Sequence, residues 1–313
     1  MLRFIVIRIL AGELPPRDEP GGRLAALRMI LECEPPLRAA RKLFLLNAIH
    51  DRAQHEARIE ILAAHGAEWR EIEFDRMLWK RAKTTRQRLC AALGINQARN
   101  LAIDIGRSLA AEEADRGSRD EGRGGEDLES RIWNLGSDAQ ASHCLASSLG
   151  PRSTIHTAFV LPLDGECFFT RAAWQRFRRD VAADQRAFPQ RRYYSLPMYR
   201  VPCDPAAIQR LDVATATPEE PQLAFRHDAP RRFDETRPWG DQPKLALLAA
   251  LGHRKGAGPA EFWPRKRHCA PAGWVYHLAT CPLDSDENIH LRANLRQQAA
   301  QRLLARIELA HGE

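Results

Sequence analysis

Asp164 and Glu166 stand at the end of the apolar run Thr154 to Leu163, with only Gly165 between them. In an extended segment, residues two apart point to the same side, so both carboxylates would face one ligand. A hard divalent cation takes such oxygen donors and keeps positions free for a substrate diphosphate. Gly165 would let that ligand approach the backbone closely. The same Asp-Gly pair is also an ordinary turn dipeptide. The second polar group is Arg99-Asn100, which follows Gly94 on a helical segment as Gly94-x4-Arg99-Asn100. In α/β sheets ligands sit beyond the carboxyl ends of strands, where such groups would meet.

The elements needed to bring them together are legible in the first hundred residues. Phe4 to Leu10 is short, apolar and β-branched, as a strand covered on both faces would be. A proline-stiffened loop follows through Glu13-Leu14-Pro15-Pro16-Arg17-Asp18 to Gly21-Gly22. A helix fits residues 23–32, a strand 41–47, a helix 51–65 capped by Asp51 and stopped by Gly66, and a half-exposed strand 68–74. This alternation predicts an α/β fold with a mainly parallel sheet. Helices are expected over 81–93 and 96–109. Residues 107–153 are rich in Gly, Asp and Glu and read as a surface insertion, with a short helix around 128–135. Strands are expected over 154–163, 191–201 and 221–225, and helices over 171–184, 243–251 and 287–311.

Taken together, the first strand, its proline loop, the segment Gly94-Ile95-Asn96-Gln97-Ala98-Arg99-Asn100 with Gly106, and the strand ending in Asp164-Gly165-Glu166 resemble a known family. They are similar to the GT-A type of nucleotide-sugar glycosyltransferase, in the family-2-like group, where a G…ARN…G helix precedes an acidic triplet. The resemblance covers residues 1–106 and 154–180, and it departs from the family in carrying Glu166 where Asp is usual and in the insertion at 107–153. It implies a GT-A-like, Rossmann-type mixed sheet: a nucleotide-sugar-binding half over 1–106, a metal and acceptor half over 154–285, and a C-terminal amphipathic helix over 286–313. It further implies a nucleotide-diphospho-sugar donor, a divalent metal (Mn²⁺ or Mg²⁺) and a glycan or lipid-linked acceptor. Arg8, Glu13 and Arg17 would border the nucleotide, Asp51 the base or ribose, and Arg99 the diphosphate or the acidic triplet, with Asn100 bonding locally. Asp164 and Glu166 would hold the metal, joined by His227. An inverting transferase needs a carboxylate to deprotonate the acceptor hydroxyl; Asp228, delivered by a strand to the same sheet edge, and Asp234 are the candidates, with Glu235 beside them.

Elsewhere, Trp239, Trp263 and Trp274 lie among prolines, glycines and basic residues, where they can stack on sugar rings or pin loops to the domain. Arg265-Lys266-Arg267-His268 is a small basic cluster. In the last helix Leu295, Leu303, Leu304 and Ile307 oppose Arg292, Arg296, Arg302 and Arg306. Such a helix can lie on an anionic membrane or pack on its own domain.

The chain has 313 residues, 44% hydrophobic and 28% charged, which excludes wholesale disorder and fibrous repeats. No apolar run approaches the roughly 20 residues of a bilayer crossing. Arg8 interrupts the N-terminal apolar stretch, and residues 13–17 are no small-residue cleavage site, so the expected location is cytoplasmic, with peripheral contact at the inner membrane face as the attachment that the last helix allows. The net charge of +7 favours anionic partners weakly; without an RNA-binding motif or a clustered basic face, nucleic acid is not expected. Seven scattered cysteines without a C-x-x-C pair read as reduced thiols. The alternative to the transferase is a non-catalytic GT-A-like binding or assembly protein.

Overall fold

The computed structural model describes residues 2–120, 157–208, 211, 216–252, 254–255, 262–263, 268–280 and 289–311. The first half runs β1 (Arg3–Ala11), α1 (Gly22–Cys33), β2 (Ala40–Asn47), α2 (Arg52–Ala64), β3 (Trp69–Ile72), α3 (Arg76–Arg81), α4 (Thr85–Leu93) and α5 (Ile95–Asp120). The second runs β4 (Ala158–Asp164), β5 (Cys167–Phe168), α6 (Arg171–Ala187), β6 (Tyr193–Pro202), α7 (Pro205–Ile208), β7 (Thr217–Arg226) and α8 (Pro243–Ala250). It closes with β8 (Arg254–Lys255), β9 (Phe262–Trp263), β10 (Cys269–Pro271), β11 (Val275–Ala279) and α9 (Ile289–His311). The helix expected at 128–135 and the basic residues 265–267 lie outside the described residues.

The fold is α/β, with one mixed sheet in the order β3-β2-β1-β4-β7-β6-β11-β5 and β10 beside β6. Strands β1 to β4 are mutually parallel, while β7 runs antiparallel to both β4 and β6. β1 sits inside the sheet and is buried on both sides, as its apolar run, interrupted only by Arg8, requires. Phe4 and Val6 pack towards α1 and α6; Ile5, Ile7 and Ile9 pack towards α5. Only two residues separate β4 from β5, yet β5 pairs with β11 at the far end of the order. The sheet therefore curls back on itself.

Several elements differ from expectation, among them the short α3, β5 and β10, which were not foreseen. The second polar helix does not stop at Leu109 but continues to Asp120, because Leu109 is still buried against the sheet. β11 was not foreseen: its short apolar run hides between proline- and glycine-rich turns.

α9 answers the question posed by its amphipathic pattern. Ala299, Leu303 and Ile307, one face at four-residue spacing, pack against Leu14, Trp79 and residues 91–93. Arg88 on α4 pairs with Glu308 at 3.0 Å. The apolar stripe is thus covered by the chain's own domain, and among the described residues no helix is long and apolar enough to cross a membrane.

Gly106 lets α5 approach β4 closely. A Cβ built there would lie 2.5 Å from both γ-carbons of Val160 on β4. Gly106→Ala should destabilise the protein by about 1–3 kcal/mol in urea unfolding through overpacking. Combined with Val160→Ala it should cost less than the sum of the two single changes; strict additivity would refute the contact.

Candidate functional site

Asp164 ends β4 at the carboxyl edge of the parallel strands, and three donors converge on it. Arg99 Nη2 from α5 lies 2.8 Å from Oδ1, while Lys244 Nζ from α8 and Gln222 Nε2 from β7 lie 2.5 and 3.0 Å from Oδ2. Burial would raise the carboxyl pKa, but the positive charges of Lys244 and Arg99 outweigh it and hold the group well below its usual range. Lys244 is only 3% exposed. A buried ammonium needs a partner of this kind.

Glu166 belongs to a second charge group. The chain turns at Gly165, so the same-side geometry of an extended strand does not apply, and the Asp-Gly pair is a turn. Glu166 receives Arg23 from α1 at 3.1 Å and has His277 of β11 at 3.9 Å. Gly165 makes room for protein rather than for a ligand: its Cβ would meet the carbonyl of Ile9 at 2.8 Å. Beyond His277, Glu219 lies 3.4 Å from Nδ1 and is itself paired with Arg200. Burial and the Arg200 charge push the His277 pKa down to about 3, since both neighbouring glutamates are already countered by guanidinium groups. The imidazole is neutral at ordinary pH.

The residues expected at the nucleotide fall into different roles. Arg8 is wholly buried; it pairs with Glu34 and donates from Nε to the Cys167 carbonyl at 2.7 Å, so it braces the core instead of bordering a cleft. Glu13 accepts from the backbone amides of Gly21 and Arg23 at 3.0 and 3.3 Å, fixing the start of α1. Arg17 pairs with Asp18 at 3.1 Å and stacks over Trp239 at 5.0 Å, which holds that tryptophan down as a loop pin. Asp51 caps α2 through the Gln54 amide at 3.0 Å. Glu13 and Asp51 do line one crevice between the carboxyl ends of β1 and β2, with Asn47, His50 and Gln54 and an outer wall of Leu303 and Arg306 from α9, but its enclosed space is only about 10 Å³, room for a single water. Asn47 Oδ1 is buried there without a partner.

The polar stripe of α5 explains Arg99 and Asn100. Asn96 donates to the carbonyls of Asp234 and Arg237, both at 2.9 Å, and Asn100 exchanges hydrogen bonds with the backbone of Phe233 at 2.9 and 3.0 Å. Asn100 also reaches Glu235 at 2.7 Å, and the Arg99 guanidinium lies 5.3 Å above the Phe233 ring. Lower on the same helix, Asp104 pairs with Arg232 and Arg107 donates to the Ala229 carbonyl. Residues 229–237 are thus a strap laid along α5.

Strand direction places one candidate base, Asp228, away from Asp164. β7 is antiparallel to β4, with Arg226 opposite Phe159, so His227 and Asp228 emerge at the amino edge of β4. The expectation that a strand delivers Asp228 to the edge of Asp164 is therefore corrected by strand direction: six residue steps, roughly 20 Å, lie between them. Asp228 is paired with Arg226 and Arg192 at 2.5 and 3.2 Å. Asp234 is exposed and accepts from the Thr236 amide and hydroxyl, a local turn.

Both oxygens of Asp164 are taken by protein cations and an amide, Glu166 is turned to a different pair of partners, and His227 lies at the other edge. Among the described residues no group of three or more His, Cys, Asp or Glu side chains is gathered as a metal site needs. The residues as arranged do not fit a divalent cation. Lys244, Gln222, Arg23 and His277 were not foreseen as the partners of the acidic pair. Lys244 left a readable sign: it shares a helix face with Leu247, Leu248 and Leu251, which marks it as a buried cation.

Removing one partner from a buried ion pair leaves the other uncompensated. Lys244→Met should cost about 2–3 kcal/mol in denaturant unfolding. Because the folded pKa of Asp164 is depressed, its ionisation stabilises the fold above the unfolded value of about 4, and that contribution is lost as pH falls below it. Asp164→Asn should therefore flatten the acid limb of stability against pH; an unchanged limb would contradict the pairing. A comparison of the chain with protein-family models returns no match, and neither does a comparison with curated protein sequences.

Proposed function

We propose that this chain is a GT-A-like domain acting as a non-catalytic binding or assembly protein, in which ammonium and guanidinium groups occupy the place that a metal has in a transferase. The observation that carries this reading is the engagement of both Asp164 oxygens by Arg99, Lys244 and Gln222. The parallel order β3-β2-β1-β4 followed by antiparallel β7 supports the GT-A-like sheet, and the carboxyl ends of β1 and β2 are where an open α/β sheet takes a ligand.

The second reading is a metal-assisted glycosyltransferase that moves a sugar from a nucleotide-diphospho-sugar to a glycan or lipid-linked acceptor. It is favoured by the position of Asp164 at the carboxyl end of β4, beside Arg99. For that chemistry Lys244 would have to withdraw before Mn²⁺ or Mg²⁺ could share the carboxylate.

A thermal-shift titration with UDP and GDP, with and without Mn²⁺, separates the two. The binding reading predicts that Mn²⁺ adds nothing to the response to either nucleotide. The transferase reading requires a Mn²⁺-dependent stabilisation, about 2.7 kcal/mol at a hundredfold excess over Kd, that disappears in Asp164→Ala. Observing it would overturn the proposal.

A further inference from the structure

The amino edge of the sheet carries an uncompensated positive charge that nothing in the preceding account uses. Arg107 of α5, Arg192 before β6 and Arg231 of the strap lie around the Tyr193 hydroxyl, which accepts from the Arg231 amide at 2.8 Å, while Arg232 stands beside Arg107 and Arg226 at the end of β7 shares Asp228 with Arg192. Among the described residues, two carboxylates answer these five guanidinium groups. Asp228 is shared by Arg226 and Arg192, and Asp104 by Arg232 and, at 3.8 Å, Arg107. Five cations against two anions leave +3.

The shortage shows in the bonding. Arg107 Nε and Arg232 Nη1 are buried with no acceptor, and so is His227 Nδ1. Burial, followed by the adjacent Arg232 charge, lowers the pKa of Arg107. A protein that only needed to hold the strap would not place Arg107 and Arg232 side by side, since like charges in partial burial repel and unmade guanidinium bonds cost stability. The outer edges of the cluster are open: Arg231 is exposed and has no side-chain partner among the described residues, and the Arg192 side chain is 45% exposed.

We propose that this arginine cluster is an anion site for a phosphate-type dianion, roughly 20 Å from Asp164. Guanidinium forks match tetrahedral oxyanions bidentately, and a dianion would reduce the surplus from +3 to +1. The anion would lie between Arg192 and Arg231, closing the ring that Asp104 and Asp228 leave open. The site does not depend on a nucleotide at the carboxyl edge.

The test is stabilisation by inorganic phosphate against chloride at constant ionic strength, so that screening is the same in both series. Wild type should be stabilised saturably by phosphate. The double variant Arg192→Gln/Arg231→Gln, changed at two exposed side chains and so expected to fold, should need at least tenfold more phosphate for the same shift. Glycerol phosphate distinguishes the source: equal potency with inorganic phosphate means a site for the free anion, and tighter binding of the ester means a site for a phosphoryl group on a larger molecule. Three results would overturn the proposal: no phosphate response, a response identical in the double variant, or a response abolished by Arg23→Gln at the other edge.

Discussion

A carboxylate with two oxygens can accept a limited number of hydrogen bonds, and at Asp164 two cations and an amide take the places that a metal would use. The rest of the carboxyl edge follows from this one saturated group. Arg99 fixes the start of α5, Lys244 fixes α8, and Gln222 ties β7 to the end of β4. Three elements distant in sequence are held at one point by opposite charge in a partly dry environment, where such pairs are strong and the loss of either member is costly.

The same logic extends along α5. Its polar residues recur every three or four positions, from Asn96 through Asn100 and Asp104 to Arg107, and each engages the strap 229–237 or the loop around it. A helix would normally present such a stripe to water. Here it supplies the hydrogen bonds that an irregular segment cannot make for itself, so the strap can lie against the domain without unsatisfied backbone groups. The strap in turn carries the chain from the amino edge, at Asp228, back to α8 and Lys244.

Much of the fold was readable because apolar periodicity records it. β1 announces itself by its apolar run around Arg8, β2 by Leu43 to Leu46, and α2 by its Asp51 cap and Gly66 stop. β11 and α3 are too short for their patterns to stand out, and β11 is embedded in turn-forming residues. At the candidate site, the pairing of Arg99 with Asp164 was anticipated through the family resemblance. Its partners were less accessible, because they depend on facts that no local pattern encodes. Strand polarity sent Asp228 to the wrong edge, and a turn beginning one residue early separated Glu166 from Asp164. Buried charges such as Arg8 and Lys244 resist assignment for a related reason: a cation in an apolar stretch signals a partner without saying where in the chain that partner lies.

The direct test of the central claim is the carboxyl ¹³C signal of Asp164 followed by NMR during addition of substoichiometric Mn²⁺ in the presence of UDP. With Arg99, Lys244 and Gln222 in possession of both oxygens, the signal should keep its linewidth while exposed carboxylates such as Asp234 broaden weakly and without selectivity. Selective loss of the Asp164 signal at the first additions of Mn²⁺ would mean that the metal displaces the lysine, and the account of a cation-saturated carboxylate would be wrong.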